Sequence, residues 1–301
     1  MDVKILDDSH KEMKAGSVMG PLTRLHGWLG DQRRFLTAAQ WHELREAVSA
    51  HPLASLLRQD PLIGRAFRKP RGYAGDAEMM DMIYGMGTVP SPGEGVLAEL
   101  HSFAVGIAAF RSVRYRREAF RTRLDESAAR TPGLTVASVG AGHLREVEDS
   151  RALRDGELGG YAAFDQDPES LAEIDRAYGR YGVRTFSRRV REVITDGVLP
   201  ERVDLIHAGG LYDYLTDRTA VPLTRSLVAS LRPAGTLMIA NIVPTCRDIA
   251  YLEAVMDWPL VHRDEKDMRA LLEEVPDGRV ADLALHRDPD DVMTFMTVTV
   301  R

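Results

Sequence analysis

An apolar, β-branched run that ends in two closely spaced glycines places the strongest constraint on the fold. The run is Thr135–Val139, and Gly140, Ala141 and Gly142 follow it before a polar segment that reaches Glu146. A strand that passes through Gly-x-Gly into a helix lets the backbone approach a ligand closely, with free N–H groups facing an anionic group. The run therefore predicts a nucleotide-binding turn. A tight turn without a ligand remains the alternative.

Strand-like and helix-like patterns alternate after this turn. The later apolar runs are Tyr161–Phe164, Thr185–Phe186, a run that begins at Val203, Thr236–Val243, Arg279–His286 and Val292–Val300. A turn rich in aspartate separates the last two runs, which is typical of an antiparallel hairpin. Five β/α units closed by a hairpin predict a mostly parallel, seven-stranded sheet with helices on both faces, an α/β fold.

The polar residues at the ends of these runs indicate which nucleotide binds. Asp165 ends the second run, where a nucleotide-binding sheet holds ribose hydroxyls. A dinucleotide-binding turn requires a third glycine at position 145, and Arg145 stands there. Together with the terminal hairpin, this favours S-adenosylmethionine (SAM) over a nicotinamide dinucleotide.

The N-terminal part predicts helices, and we divide the chain into a helical cap or lid, residues 1–130, and a SAM-binding domain, residues 131–301. Thr37 and Gln40 form a capping-box pattern that begins a helix over Ala38–Ala50. Residues 1–20 are expected to be a loose or partner-stabilised tail. A long or broken helix is predicted over Val96–Leu124.

Two basic segments of this part have two interpretations each. The segment from Arg65 to Tyr84 joins arginines, a Gly-Tyr-Ala-Gly-Asp sequence and a helix, which suits a lid over a ligand or a basic surface loop. Arg114, Arg117 and Arg121 share one helix face. They form a solvated face, or they reach carboxylates of the ligand.

Longer motifs resemble one group of class I SAM-dependent methyltransferases, the bacterial group named for biosynthesis of the extracellular factor 3-hydroxypalmitic acid methyl ester. The motifs are Lys69-Pro-Arg-Gly-Tyr-Ala-Gly-Asp-Ala-Glu78, Ala208-Gly-Gly-Leu-Tyr-Asp-Tyr-Leu215, Asn241 and Met256-Asp-Trp-Pro-Leu-Val-His-Arg263. The resemblance implies a Rossmann-like methyltransferase domain with an N-terminal helical cap, in a bacterial enzyme of secondary metabolism. Ser138 departs from the acidic residue that many methyltransferases carry there, and Leu144 replaces a third glycine.

The resemblance also implies site residues. The implied cofactor-binding residues are Gly140, Ala141, Gly142, Asp165, Gln166, Ser187, Ala208, Gly209, Arg71 and Tyr73. The implied catalytic residues are Tyr73, His207, Tyr212 and Asp213, and the implied substrate-binding residues are Asp76, Tyr214 and Asn241. Each tyrosine has core packing as its alternative, and His207 is either a general base or a histidine that is merely hydrogen-bonded.

The function that these residues favour is methyl transfer to a small molecule, with a carboxylate or fatty-acid-like acceptor suggested by the resemblance and S-adenosylhomocysteine (SAH) released. The alternative is cyclisation of SAM itself to azetidine-2-carboxylate, which releases methylthioadenosine. A non-catalytic SAM-binding module is a third hypothesis.

Composition restricts the partners and the location. The formal net charge of −6 argues against nucleic acid as the main partner. The single cysteine, Cys246, excludes an intrachain disulfide and a cysteine-rich metal site, and no metal is expected. The charged N-terminus and the lack of a long apolar run predict a cytoplasmic protein without membrane insertion. Oligomerisation is left open.

Overall fold

The computed structural model describes residues 3–87, 90–197 and 202–301, and the chain forms two compact units. The helical unit comprises Met1–Val113 and Thr245–Pro259, and the sheet unit comprises Arg114–Pro244 and Leu260–Arg301. The division differs from the predicted one at residue 130, since it falls within helix α8, Ala108–Arg130. The reason is packing, because Leu124 and Ala128 of α8 belong to the hydrophobic core of the sheet unit.

Helices and their connections make up the described part of the helical unit. Their bounds are α1 Lys4–Lys14, α2 Met19–Phe35, α3 Ala38–Ala50, α4 Pro52–Leu57, α5 Pro61–Arg68, α6 Ala77–Tyr84 and α7 Val96–Gly106, with α13 Ile249–Val255 from the returning segment. The predicted bounds of α3 are confirmed. Thr37 and Gln40 form the capping box, since the Gln40 amide donates to the Thr37 hydroxyl and the Gln40 side chain accepts from the Thr37 amide.

The prediction of a loose tail over residues 1–20 was wrong. Residues 4–14 form helix α1, and Leu6, Ser9 and Met13 are buried on one side of it. Their spacing of three and four residues is that of an amphipathic helix, although charged residues outnumber apolar ones in the segment. Packing against α2 and α4 gives this otherwise polar helix its stability.

The predicted helix over Val96–Leu124 is broken. Helix α7 ends at Gly106 and α8 begins at Ala108, and the two helices are bent by 58° at the break. In the ranges that the structure describes, no single helix is long and apolar enough to cross a membrane. Only this bent pair reaches the required length and composition when its two helices are taken together.

The returning segment is anchored in the helical unit by Glu253 of α13. Trp41 donates its indole N–H to the Glu253 carboxylate at 2.6 Å, and Arg33 binds both carboxylate oxygens at 3.0 Å. Helix α13 packs on α2 and α3. A bidentate arginine and a buried indole donor fix the helix in a single orientation.

The sheet unit contains the predicted seven-stranded mixed sheet. Its strands are β1 Thr135–Val139, β2 Gly160–Asp165, β3 Val183–Ser187, β4 Val203–Ala208, β5 Leu231–Ile242, β6 Val280–Arg287 and β7 Met293–Val300, in the order β3-β2-β1-β4-β5-β7-β6. Strands β1 to β5 are parallel, and β7 pairs antiparallel with both β5 and β6. The helices are α9 Arg151–Arg154, α10 Pro168–Tyr178, α11 Val190–Asp196, α12 Asp217–Ala229 and α14 Glu265–Ala270.

Both faces of this sheet are buried. Alternate residues of β1 belong to two different hydrophobic clusters, Ala137 and Val139 to one and Val136 to the other. Side chains of a strand alternate between the two faces of a sheet, so helices must cover both. The chain order of the strands reverses direction beside β1, between β1 and β4, which is where an open α/β sheet binds its ligand.

Candidate functional site

The glycine turn lies directly after β1 and is held by the end of β2. The amides of Gly140 and Ala141 both donate to the carbonyl of Phe164, at 2.9 and 3.0 Å. Gly140 and Gly142 have φ angles of +68° and +53°, which residues other than glycine adopt only at a cost in free energy. A Cβ atom on Gly140 would lie 3.1 Å from the Cβ of Leu211, so the loop after β4 packs on this turn.

Asp165 joins the turn to the end of β2. Its Oδ2 accepts from the amide of Gly142 at 2.8 Å, and its Oδ1 accepts from the amide of Asp167 at 3.0 Å. Burial raises the pKa of Asp165, and these backbone hydrogen bonds oppose that rise. The amide of Gln166 also donates to this carboxylate. A carboxylate has about four lone-pair positions, so about one remains for a hydroxyl donor of a ligand.

The neighbouring predicted residues lie at the same edge of the sheet. Ser187 ends β3 and pairs in register with Asp165, and Gln166 follows Asp165 directly. The side chains of Ser187 and Gln166 are exposed. The structure thus brings the predicted turn, Asp165, Gln166 and Ser187 together at the carboxyl ends of β1 to β3.

Ala208 and Gly209 lie at the end of β4, next to a buried arginine that the sequence reasoning missed. A Cβ atom on Gly209 would lie 3.2 Å from the ring of Phe120, and one on Gly210 would lie 3.4 Å from the guanidinium of Arg116. Arg116 is only 6% exposed. Because Gly209 and Gly210 have no side chain, Phe120 and Arg116 of α8 can pack against them.

Arg116 lies one position away from the predicted arginine face. Arg117 instead pairs with Glu118 and Asp149, and Arg121 pairs with Glu118 and Asp125. The sequence did carry a signal for the inner face, since Arg116, Phe120 and Leu124 recur at intervals of four residues. These three residues are all buried.

His207 lies inside the sheet unit and not on its surface. It is 3% exposed, and its Nε2 is 2.5 Å from the hydroxyl of Tyr161. Burial lowers the pKa of His207 to about 3, so the imidazole is neutral at pH 7. The predicted role of His207 as general base stays a prediction, since Nε2 of the imidazole already faces Tyr161. The alternative of a hydrogen-bonded histidine fits.

Asp213 and Asn241 are joined in a buried network with Arg263. The side-chain amide of Asn241 donates to Asp213 Oδ1 at 2.7 Å, and the Ile242 amide donates to the same oxygen at 2.9 Å. Arg263, which is 1% exposed, donates to the Asn241 carbonyl oxygen at 2.8 Å. Burial raises the pKa of Asp213 to about 6, against the lowering effects of the Ile242 amide and two arginines.

The predicted roles of Asp213 as catalytic and of Asn241 as substrate-binding stay predictions, and the network gives both residues a structural role. Both side chains are buried and hydrogen-bonded to their own protein, which is how buried polar groups are normally satisfied. Tyr212 is likewise 0% exposed, and its hydroxyl pairs with Thr224 at 2.8 Å. Core packing, the alternative interpretation of Tyr212, therefore fits. Tyr214 is half-buried in the same loop, and its substrate-binding role stays a prediction.

Arg71, Tyr73 and Asp76 belong to the helical unit. Asp76 is 0% exposed, caps α6 by accepting from the Met79 amide, and binds Arg65 through both carboxylate oxygens. Its predicted role in substrate binding stays a prediction, and this carboxylate also holds the helix start and a buried ion pair. Arg71 pairs with Glu78 at 2.8 Å. The cofactor roles of Arg71 and Tyr73 stay predictions.

Three solved structures share this fold. A possible exported protein from Bordetella parapertussis is 20% identical, with a TM-score of 0.64 over 87% of this chain and 95% of its own. Magnesium protoporphyrin IX methyltransferase (ChlM) from Synechocystis PCC 6803, with bound SAH, is 12% identical, with a TM-score of 0.53 over 80% of this chain and 100% of its own. The SAM-dependent methyltransferase SibL is 16% identical, with a TM-score of 0.51 over 79% of this chain and 69% of its own.

The chain matches these structures over 79–87% of its length. The chain has a class I methyltransferase fold. No protein-family model matches the sequence, and no protein of curated function matches it. The methyltransferase fold confirms the predicted α/β class and the antiparallel terminal hairpin. At these identities the likeness shows the fold and leaves the reaction to be argued from the residues.

Proposed function

We propose that this protein is a SAM-dependent methyltransferase whose acceptor is the carboxylate of a small molecule. The observation that carries the proposal is the hydrogen bond from Gly142 to Asp165 at the carboxyl ends of β1 and β2. In this arrangement a half-buried carboxylate, with a lone pair to spare, lies beside a turn in which Gly140 and Gly142 have no Cβ atom. A ribose hydroxyl would donate to Asp165, and Gln166 and Ser187 would flank the adenine.

Solved relatives support the choice of cofactor. ChlM carries SAH in one structure and SAM in another, the latter with a TM-score of 0.50 to this chain. Both ligands share the adenosine and the aminocarboxypropyl chain, so they need the same ribose and amino-acid contacts. The predicted cofactor residues Gly140, Ala141 and Asp165 lie together at the carboxyl ends of β1 and β2, and we assign the ribose and amino-acid contacts to this edge of the sheet.

We choose a carboxylate as the methyl acceptor because the residues predicted to act as bases are buried. His207 faces Tyr161, and Asp213 accepts from Asn241 and Ile242, so neither is available to take a proton from an acceptor. A carboxylic acid has a pKa near 4 and is already ionised at pH 7. Its oxygen attacks the methyl carbon, the S–CH₃ bond breaks, and SAH and a methyl ester form without any proton transfer.

Catalysis then consists of alignment and exclusion of water. The sulfonium is an activated donor, and holding the carboxylate in line with the S–CH₃ bond supplies most of the rate enhancement. This reaction is compatible with the lack of an accessible base among the predicted residues of the sheet unit. Methylation of an amine or an alcohol would require one.

The test is to incubate the protein with SAM, alone and with a panel of short- and long-chain carboxylic acids, and to quantify SAH, methyl ester and methylthioadenosine by mass spectrometry. We expect SAH and ester in equal amounts, only when an acid is present. Asp165→Asn provides the inactive control, and a sample without protein corrects for spontaneous breakdown of SAM. Methylthioadenosine formed by the protein from SAM alone would instead support the cyclisation alternative.

A further inference from the structure

A second acidic group lies beside the glycine turn. Glu146 belongs to the short 3₁₀ turn Arg145–Val147, directly after the glycine turn, and the side chain of Ser138 is hydrogen-bonded to its carboxylate. Ser138 lies in β1, two residues before Gly140. The Glu146 side chain is 17% exposed. A carboxylate next to the proposed cofactor turn is thus partly accessible.

Two buried side chains point towards this carboxylate. Burial and the charge of Glu146 raise the pKa of Tyr161, so its hydroxyl stays protonated; this hydroxyl is hydrogen-bonded to Nε2 of His207 and to the side chain of Ser138. A neutral imidazole that accepts at Nε2 carries its proton on Nδ1. That Nδ1 is buried, has no hydrogen-bond partner in the described chain, and lies 3.5 Å from Oε1 of Glu146.

The positive charges near Glu146 do not fully offset the effect of burying its carboxylate, so a further cation would stabilise it. Burial raises the pKa of Glu146 even though Arg116 and Arg117 act in the opposite direction. An ionised carboxylate in this position is stabilised by any further positive group that also donates hydrogen bonds. A primary ammonium donates three, and Ser138 uses only one of the lone-pair positions of Glu146.

We propose that Glu146 binds the α-ammonium group of the aminocarboxypropyl chain of SAM, and that Tyr161 and His207 are positioning residues that hold its carboxylate. The inference rests on the proposed function, since it assigns the amino end of the same cofactor. Asp165 would hold the ribose, and Glu146, which follows the glycine turn in the 3₁₀ turn Arg145–Val147, would hold the amine. Two carboxylates near one glycine turn would thus serve the two ends of one ligand.

The test compares SAH with desamino-SAH, in which hydrogen replaces the α-amino group, by isothermal titration calorimetry. The wild-type protein should bind SAH about 10- to 100-fold more tightly, as expected for a charge-assisted hydrogen bond. Glu146→Gln keeps the shape of the side chain and should weaken SAH binding by a similar factor, with desamino-SAH binding unchanged. Glu157→Gln, an exposed glutamate of the same unit, is the matched control and should retain the wild-type ratio.

Tyr161→Phe and His207→Gln test the positioning role. Each should reduce the ratio of the two dissociation constants by about threefold to tenfold, as expected for loss of a hydrogen bond. A purely structural role would lower the melting temperature and leave the ratio unchanged.

The outcomes separate the two proposals. If the wild-type protein binds neither ligand, the proposed function fails. If it binds both equally, or if Glu146→Gln keeps the wild-type ratio, the role of Glu146 is overturned and the proposed function stands. The wild-type comparison needs no variant, so it decides the question even if Glu146→Gln does not fold.

Discussion

Polar side chains at the carboxyl ends of the strands differ in burial between the two halves of the sheet. At the ends of β1 to β3, Asp165 is half-buried and Gln166 and Ser187 are exposed. At the ends of β4 and β5, Asp213, Asn241 and Arg263 are at most 4% exposed and bind one another. Similar residue types are therefore partly open to a ligand in the first half and hold loops together in the second.

The difference lies in what surrounds the carboxylates. Asp165 meets only backbone N–H groups, which leave a lone pair free. Asp213 meets a side-chain amide whose own oxygen is held by a buried arginine. A polar residue at a strand end is a ligand-binding residue only when the protein leaves part of its hydrogen-bonding capacity unused. Four experiments test this contrast.

The largest effect is expected from breaking the buried network. Arg263→Met removes a cation that donates to Asn241 and Asp217 and leaves polar partners buried without it. We expect a loss of about 3–5 kcal/mol in the free energy of unfolding, measured by urea denaturation. Arg269→Met, an exposed arginine of α14, is the control and should change stability by less than about 0.5 kcal/mol. Equal losses in both variants would contradict the network.

The opposite pattern, a small change in stability and a large change in SAH binding, is expected at the ends of β1 to β3. Asp165→Asn keeps one acceptor oxygen and turns an NH₂ group towards the other backbone amide, so we expect a loss of only about 1 kcal/mol in stability. SAH binding should weaken about 10- to 100-fold because the charge is removed. Calorimetric titration with SAH and a urea curve measure the two quantities on the same sample. Asp155→Asn, at an exposed position, should match the wild-type protein in both. Unchanged SAH affinity in Asp165→Asn would show that Asp165 is structural.

A smaller effect is expected at the turn itself. Gly140→Ala places a Cβ atom at a φ of +68° and 3.1 Å from Leu211, so we expect a loss of about 1–2 kcal/mol in stability, together with weaker SAH binding. Gly156→Ala is a matched control, since its φ is +71° and nothing lies within 4 Å of the added atom. Both variants share the backbone strain, so the difference between them isolates the contact with Leu211.

The smallest effect is a change in the pH dependence of stability. The pKa of His207 falls to about 3 on folding, so the unfolded chain binds more protons below pH 6.5, and this group lowers stability as pH falls. The pKa of Asp213 rises to about 6, so between pH 6 and 3.8 this group raises stability as pH falls. Each slope amounts to about 1.4 kcal/mol per pH unit at most.

These opposing slopes can be separated by two variants. Thermal melts between pH 6 and pH 4 should show His207→Gln gaining stability relative to pH 7 as pH falls. Asp213→Asn should lose stability more steeply than the wild-type protein over the same range. Parallel curves for all three proteins would mean that folding changes the pKa of neither His207 nor Asp213.

The sequence was sufficient for the fold because its signals are local and repeated. The capping box at Thr37 and the strand that ends at Gly140 each depend on a few neighbouring residues, and both predictions were confirmed. Helix α1 was missed because its stability comes from packing of Leu6 and Met13 and not from its mostly charged sequence. Tertiary packing outweighs local composition in such a segment.

The site was only partly predictable for a related reason. A sequence shows that Asp213 and Asn241 follow strands, but it does not show that Arg263, far along the chain, binds Asn241. Glu146 was likewise part of the first motif considered, yet nothing local assigns it a partner. Hydrogen bonds between distant residues decide which polar groups are already satisfied, and those bonds are a property of the folded chain.

The segment Thr245–Pro259 has a consequence for any attempt to divide this protein. It leaves the sheet unit after β5, supplies α13 to the helical unit, and returns before β6. A fragment that begins at Arg114 would keep the whole sheet but also α13, with Tyr251, Leu252 and Val255 stripped of the helices that bury them. Such a fragment should aggregate. After protease cleavage near residue 113, the N-terminal fragment should stay bound to the rest of the chain through the packing of α2 and α3 on α13. The helical unit therefore cannot be removed by a single truncation, because two separate segments of the chain belong to it.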